Sequence, residues 1–273
     1  MKMEELGARI EMPSEGMACA RDSLPEGAQC ERWLTLLEED EAEFLRQMAE
    51  EPEANRKVLA LYLRYAADQA DRWKAKGIPD TVYLDTMRDL TIWYQECLRR
   101  TGAPGLVEWE WLLHVLKGRL LRLGRLQYQP RSLEAPLTVG DTTYPQGTPI
   151  LAVHIPAGGH LDPDAVRASF RQAQDWFRDG PYRGFHCHSW LLSSALEELL
   201  PAESNILQFR ALFQVYAEDF SFRQAEERVF GYISDDIAGY PEETGLQRRL
   251  KHRLLTVGPI PMGWGWIPFE EHF

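Results

Sequence analysis

From Glu31 onward, apolar residues return at helical spacing. Trp33, Leu37, Phe44 and Met48 lie on one stripe that ends near Pro52. Val58, Tyr62, Tyr65, Ala66 and Trp73 form a second, which stops at Gly77-Ile78-Pro79. Tyr83, Met87, Leu90, Tyr94 and Cys97 form a third that closes at Thr101-Gly102, and a fourth carries Trp109, Leu113, Leu116, Leu120 and Leu123. Stripes of this kind predict a helical bundle with short connections over residues 31–123. The first thirty residues mix Gly, Pro, Ser and charge with little periodicity, and read as a weakly ordered leader.

The pattern changes after Gly124. Residues 125–129 and 137–143 alternate as strands do, and Ile150-Leu151-Ala152-Val153-His154-Ile155 is an almost wholly apolar run, the mark of a buried central strand. Pro156-Ala157-Gly158-Gly159-His160-Leu161-Asp162 follows. A helix is predicted to start at Asp162 or Pro163 with Val166, Phe170, Ala173 and Phe177 inward, and to stop at Gly180-Pro181. Residues 184–192 return to a strand, and 212–217 predict another. Helical segments are expected near 222–230 and 242–255, before an extended Gly/Trp/Pro-rich end. The fold class is therefore α+β: a helical domain over 31–123, then a mixed α/β domain over 124–273.

Composition narrows the function. A net charge of −12 opposes a general nucleic-acid role, because neutralising many phosphates takes a basic face. The stripes are too short and too interrupted for a membrane span, and no basic-then-apolar signal pattern opens the chain. Cys19, Cys30, Cys97 and Cys187 are scattered without a C-x-x-C pair, so a reducing cytoplasm is the expected location.

Three segments carry candidate chemistry. Glycines in the strand-to-helix turn at 150–163 let backbone N–H groups approach an anion such as a diphosphate, although Gly-Gly there also serves as plain turn chemistry. Strand alternation over Phe185-His186-Cys187-His188-Ser189-Trp190 puts His186 and His188 on one face and Cys187 on the other. Two same-face imidazoles suit a general base with an orienting partner, or a metal pair needing a third ligand such as His154 or His160. The basic cluster around Arg248, Arg249, Lys251 and Arg253 suits a phosphate-bearing ligand or a solvated face. Gly263-Trp264-Gly265-Trp266 suits an apolar acceptor pocket or an edge strand.

The string Phe185-His186-Cys187-His188-Ser189-Trp190-Leu191-Leu192 is followed by Leu199-Leu200-Pro201, Ser204-Asn205-Ile206-Leu207-Gln208-Phe209 and Thr244-Gly245-Leu246-Gln247-Arg248. In these segments the chain resembles a bacterial family of two-domain, acyltransferase-domain-containing proteins with a helical N-terminal domain and a GNAT-like C-terminal domain. The resemblance implies a central, partly splayed sheet. It further implies that coenzyme A or acyl-CoA is held at the turn by Ile155, Gly158, Gly159, His160 and Leu161, with no metal. A small-molecule amine acceptor would be acylated by direct attack, with His186 or His188 as base and Tyr216 or Tyr232 as acid. The chain departs from the [Q/R]-x-x-G-x-[G/A] pattern of that loop, carrying Ile155-Pro156-Ala157-Gly158-Gly159-His160 instead. Two alternatives stand beside this reading: a GNAT-fold binding or scaffold protein without activity, and a hydrolase using a metal on the His-x-His pair.

Overall fold

The computed structural model describes residues 1–273 and divides into two units, Met1–Leu123 with Pro156–Gly158, and Gly124–Ile155 with Gly159–Phe273.

The first unit is helical: α1 (Met3–Arg9), α2 (Ser14–Ser23), α3 (Gly27–Glu39), α4 (Glu41–Met48), α5 (Ala54–Ala75), α6 (Asp80–Met87), α7 (Asp89–Thr101) and α8 (Trp109–Leu116), followed by a short strand β1 (Leu121–Leu123). Helix α5 is the hub. Val58, Leu59, Ala60, Leu61, Tyr62 and Leu63 are buried in succession, so the helix is covered on every side rather than along one stripe. The expectation of a weakly ordered leader is overturned here. Helices α1 and α2 pack on α5, with Leu6, Ile10 and Ala20 fully buried. Small residues make the close approach: a Cβ on Gly7 would sit 2.2 Å from Met17 Sδ.

Two predicted helices are each split in two. Asp40 leaves helical geometry at φ −144° and its carboxylate accepts from Glu43 N, ending α3 and capping α4. The stripe from Tyr83 to Cys97 divides at Arg88 between α6 and α7. Helix α8 is shorter than its apolar pattern, because Gly118 turns the chain at φ +66° and sends Leu121 and Leu123 into a strand.

The second unit holds β2 (Leu126–Ser132), a hairpin of β3 (Leu137–Val139) and β4 (Thr142–Tyr144), β5 (Pro149–His154), α9 (Pro163–Trp176), β6 (Gly184–Ser189), α10 (Leu196–Leu199), α11 (Asn205–Arg210), β7 (Gln214–Asp219), α12 (Gln224–Phe230), α13 (Gly245–Thr256) and β8 (Met262–Pro268). Its sheet strands run in the order β2-β5-β6-β8-β7. Only β5 and β6 are parallel, joined by the crossover through α9. The Gly-Trp-Gly-Trp segment is thus an interior strand, and β7 is the edge.

Each face of this sheet has its own residues. Tyr128, Leu151, Val153, Phe185 and Cys187 face α9, where Phe170 packs edge-on to Tyr128 and Phe185. The Ser169 hydroxyl meets the Tyr128 hydroxyl at 3.0 Å, and the stack of Phe273 on Phe170 pins the C-terminus. Gln129, Ala152, His154, His186, His188, Trp264 and Trp266 share the other face. The β3–β4 hairpin covers one end of it, with Leu133, Leu137 and Val139 against Ile150 and Trp266.

The alternation in β8 has a packing cause. A Cβ on Gly263 would lie 2.6 Å from the Leu192 carbonyl oxygen, and one on Gly265 would lie 2.6 Å from Leu192 Cδ1. Glycine on that side lets the 3₁₀ turn at Trp190–Leu192 approach, while the tryptophans fill the histidine side. No helix is long and apolar enough to cross a membrane.

Candidate active site

The central feature is a parting of two strands. The β5–β6 ladder holds only the pairs Leu151–Phe185 and Ala152–His186. Beyond it, β5 stays paired with β2 as far as His154, and β6 stays paired with β8 as far as Ser189. Each strand follows its outer neighbour, so a cleft opens between Val153-His154 and Cys187-His188. No ladder pair joins the two strands beyond Ala152 and His186.

The chain leaves β5 through Ile155 into the glycine turn. Gly158 and Gly159 adopt left-handed backbone at φ +82° and +75°, and no atom lies within 4 Å of a Cβ placed on either. Arg125 donates to the carbonyls of Gly159 at 3.2 Å and His160 at 3.0 Å, which ties down the turn's oxygens. No backbone carbonyl accepts from the amides of Gly158, Gly159, His160 or Leu161. Consecutive unpaired amides in such a turn form an anion-binding concavity.

The helix that follows contributes less than expected. Pro163 has no N–H, Ala165 N donates to the Asp162 carboxylate at 2.9 Å, and Val166 N donates to Asp162 O. Of the four groups usually free at a helix start, the proline supplies none and the cap takes one, which leaves the amides of Asp162 and Asp164. An anion at this end would therefore rest on the turn rather than on α9.

The predicted residues His186, His188 and Tyr216 come together on the histidine face. A bulge in β7 between Val215 and Ala217 inserts Tyr216 opposite Trp264 and turns its ring toward β6. Its hydroxyl lies 2.7 Å from His186 Nε2. Burial raises the Tyr216 phenol to about 12, so it stays protonated at neutral pH. Burial lowers His186 to about 4, with His188 and Arg131 adding like charge. His154, one step along the cleft, meets Gln129 Oε1 at 3.2 Å through Nε2.

His188 stacks face to face on Trp264, with ring centroids 3.6 Å apart and planes 8° from parallel. Its Nε2 lies 3.0 Å from Asp219 Oδ2, which also accepts from the Trp264 indole N–H. The other Asp219 oxygen accepts from the Ser221 amide and hydroxyl. Burial opposes ionisation of Asp219, but these donors and His188 hold it at about 2. Burial lowers the pKa of His188, and Asp219 opposes that shift.

Asp219 escapes a reading of the sequence because it lies 31 residues beyond His188, across an intervening strand that comes later in the chain. Cys187 is fully buried on the opposite face, where burial pushes its thiol to about 12 and leaves no thiolate to act as nucleophile. No group of three His, Cys, Asp or Glu side chains is placed to hold a metal ion. Tyr232 stands apart, its ring against Tyr240. The basic cluster on α13 is taken up within the unit: Arg248 donates to Glu242 O, Lys251 pairs with Glu242 and Arg253 with Glu198. It is a structural face.

Comparisons with known proteins agree with this architecture. Residues 120–267 match the family described as GNAT-like C-terminal domain, and residues 1–118 match that described as N-acyltransferase N-terminal domain. A solved acyltransferase in complex with decanoyl-CoA and teicoplanin is 24% identical, with a TM-score of 0.77, covering 97% of this chain and 87% of its own. An acyltransferase in complex with decanoyl-CoA is 25% identical, with a TM-score of 0.77 over 97% of this chain and 86% of its own. No curated protein matches the sequence.

Proposed function

We propose that this chain, which belongs to the family with a GNAT-like C-terminal domain, transfers an acyl group from acyl-CoA to the amine of a small-molecule acceptor. The observation that carries the reading is the parting of β5 from β6 just past Ala152 and His186, beside an amide-lined turn and a row of imidazoles. The similar acyltransferases, which bind decanoyl-CoA and in one case teicoplanin, support the same donor class.

Bound acyl-CoA supplies an activated carbonyl and a thiol leaving group. The amides of Gly158, Gly159, His160 and Leu161 hold its diphosphate, and the end of β5 at Ile155 orients the arm that follows. Arg125 fixes the turn and adds a positive charge beside it. The acceptor nitrogen forms the new C–N bond as C–S breaks. One imidazole of the His186–His188 pair removes the amine proton, and the Tyr216 hydroxyl protonates the departing thiolate. The hydroxyl that His186 engages is thus the acid, and Cys187 takes no part.

Calorimetric titration with coenzyme A and acyl-CoA, followed by a thiol-release assay over a panel of amines, tests this. At a hundredfold excess over Kd, ligand binding should stabilise the fold by about 2.7 kcal/mol. Absence of binding at millimolar coenzyme A, with no amine-dependent thiol release, would refute the activity while leaving the fold intact.

A further inference from the structure

Two imidazoles line the cleft, and their surroundings divide the work between them. We propose that Asp219 is a positioning residue that makes His188 the general base, by fixing its proton on Nε2 and presenting the Nδ1 lone pair to the acceptor amine. This assignment rests on the acyl-transfer reading for its chemistry and on hydrogen bonding for its geometry.

The Trp264 indole N–H and the Ser221 amide N–H are obligate donors, and they meet different oxygens of Asp219. With a fixed donor on each oxygen, the carboxyl group is an acceptor on both sides. The contact with His188 Nε2 at 3.0 Å then requires the hydrogen to be on the imidazole. A neutral ring with Nε2–H carries its lone pair on Nδ1. The parallel stack on Trp264 restrains the ring from turning. When Nδ1 takes the amine proton as the C–N bond forms, the imidazolium sits against the Asp219 carboxylate and is stabilised there.

His186 has none of this. Its Nε2 faces a hydroxyl that can donate or accept, and no carboxylate lies against it. The groups around the pair are Asp219, Ser221 and Tyr216 from β7 and the turn after it, Trp264 from β8, and Arg131 from β2 behind His186. Only His188 among the two imidazoles meets a negative charge. His186 remains neutral as the partner of Tyr216.

The decisive variant is Asp219→Asn, with its fold verified by circular dichroism. Its amide can donate to Nε2 and so favours the wrong tautomer. We expect kcat to fall at least about 100-fold, KM for acyl-CoA to stay within about twofold, and the acid limb of kcat/KM to move to lower pH. A kcat within about threefold of the parent, or a loss of rate with the limb unmoved, would overturn the assignment. A second measurement needs no substrate and reads the wild-type protein itself. Nitrogen-15 NMR of histidine-labelled wild-type protein, with His188 assigned through His188→Gln, should show the Nε2–H tautomer at neutral pH, whereas an Nδ1–H tautomer overturns the idea. Failure of acyl-CoA turnover in the wild type refutes the enzymatic reading alone, because the tautomer is read without ligand.

Discussion

At the residue scale, the histidine face ties stability to pH in two separate windows. His186 titrates at about 4 in the fold but near 6.5 when unfolded, so between those values only the unfolded chain binds its proton. Stability contributed by keeping it neutral is fully present above pH ~6.5 and is lost as pH falls toward 4. Asp219, held at about 2, is the depressed acid: its contribution is present above pH ~3.9 and is lost below that. Scanning calorimetry from pH 7 to 4 should therefore show a falling Tm, with a shallower slope in His186→Gln. An unchanged slope would show that His186 is not held neutral by burial. The same residues mark how far the sequence could be read. Strand alternation placed His186 and His188 together and set Cys187 behind them, because a period of two needs no long-range information. The partners Asp219 and Tyr216 depended on the insertion of β8 and on a bulge, and neither leaves a local signal.

At the element scale, the start of α9 and the turn before it have separate duties. Asp162 and Pro163 were legible as a helix start because the cap and the fixed proline φ act locally. The size of the helix end's offer was not, since the cap takes the Ala165 amide and Pro163 has none to give. Asp162→Ala should lower stability by about 1 kcal/mol through loss of the bond to Ala165 N. It should leave coenzyme A affinity undiminished in calorimetric titration, because the proposed cradle is built from the turn amides. Weaker binding in that variant would return the diphosphate to the helix end. The splay itself was beyond local reading: the apolar run at 150–155 announces a central strand, but the parting depends on each strand keeping its outer partner after the shared ladder ends.

At the scale of the whole molecule, the largest correction concerns where the fold begins. Residues 1–30 lack a visible period because α1 has 7 residues and α2 has 10, too few turns to repeat a stripe. Their small residues, Gly7, Gly16 and Ala20, look like loop composition but serve close helix packing. The segment is anchored at both ends of its role: the Met1 ammonium donates to Ala67 O at 3.1 Å, and the Thr91 hydroxyl on α7 donates to Ile10 O at 2.9 Å. Leu6 and Ile10 have no exposed surface, and Met17 is nearly as buried. Burying each such side chain is worth about 1.5–3 kcal/mol, and deleting the segment would also bare the apolar surface of α5 beneath it. A chain lacking residues 1–24 should therefore lose at least about 4 kcal/mol, and a domain of this size shifts by roughly 2–4 °C per kcal/mol, so its Tm should fall by about 10 °C or more. Differential scanning calorimetry of the truncated and full chains decides the point. Equal melting temperatures would restore the loose leader that the sequence suggested, and would mean that α5 is held by its later neighbours alone.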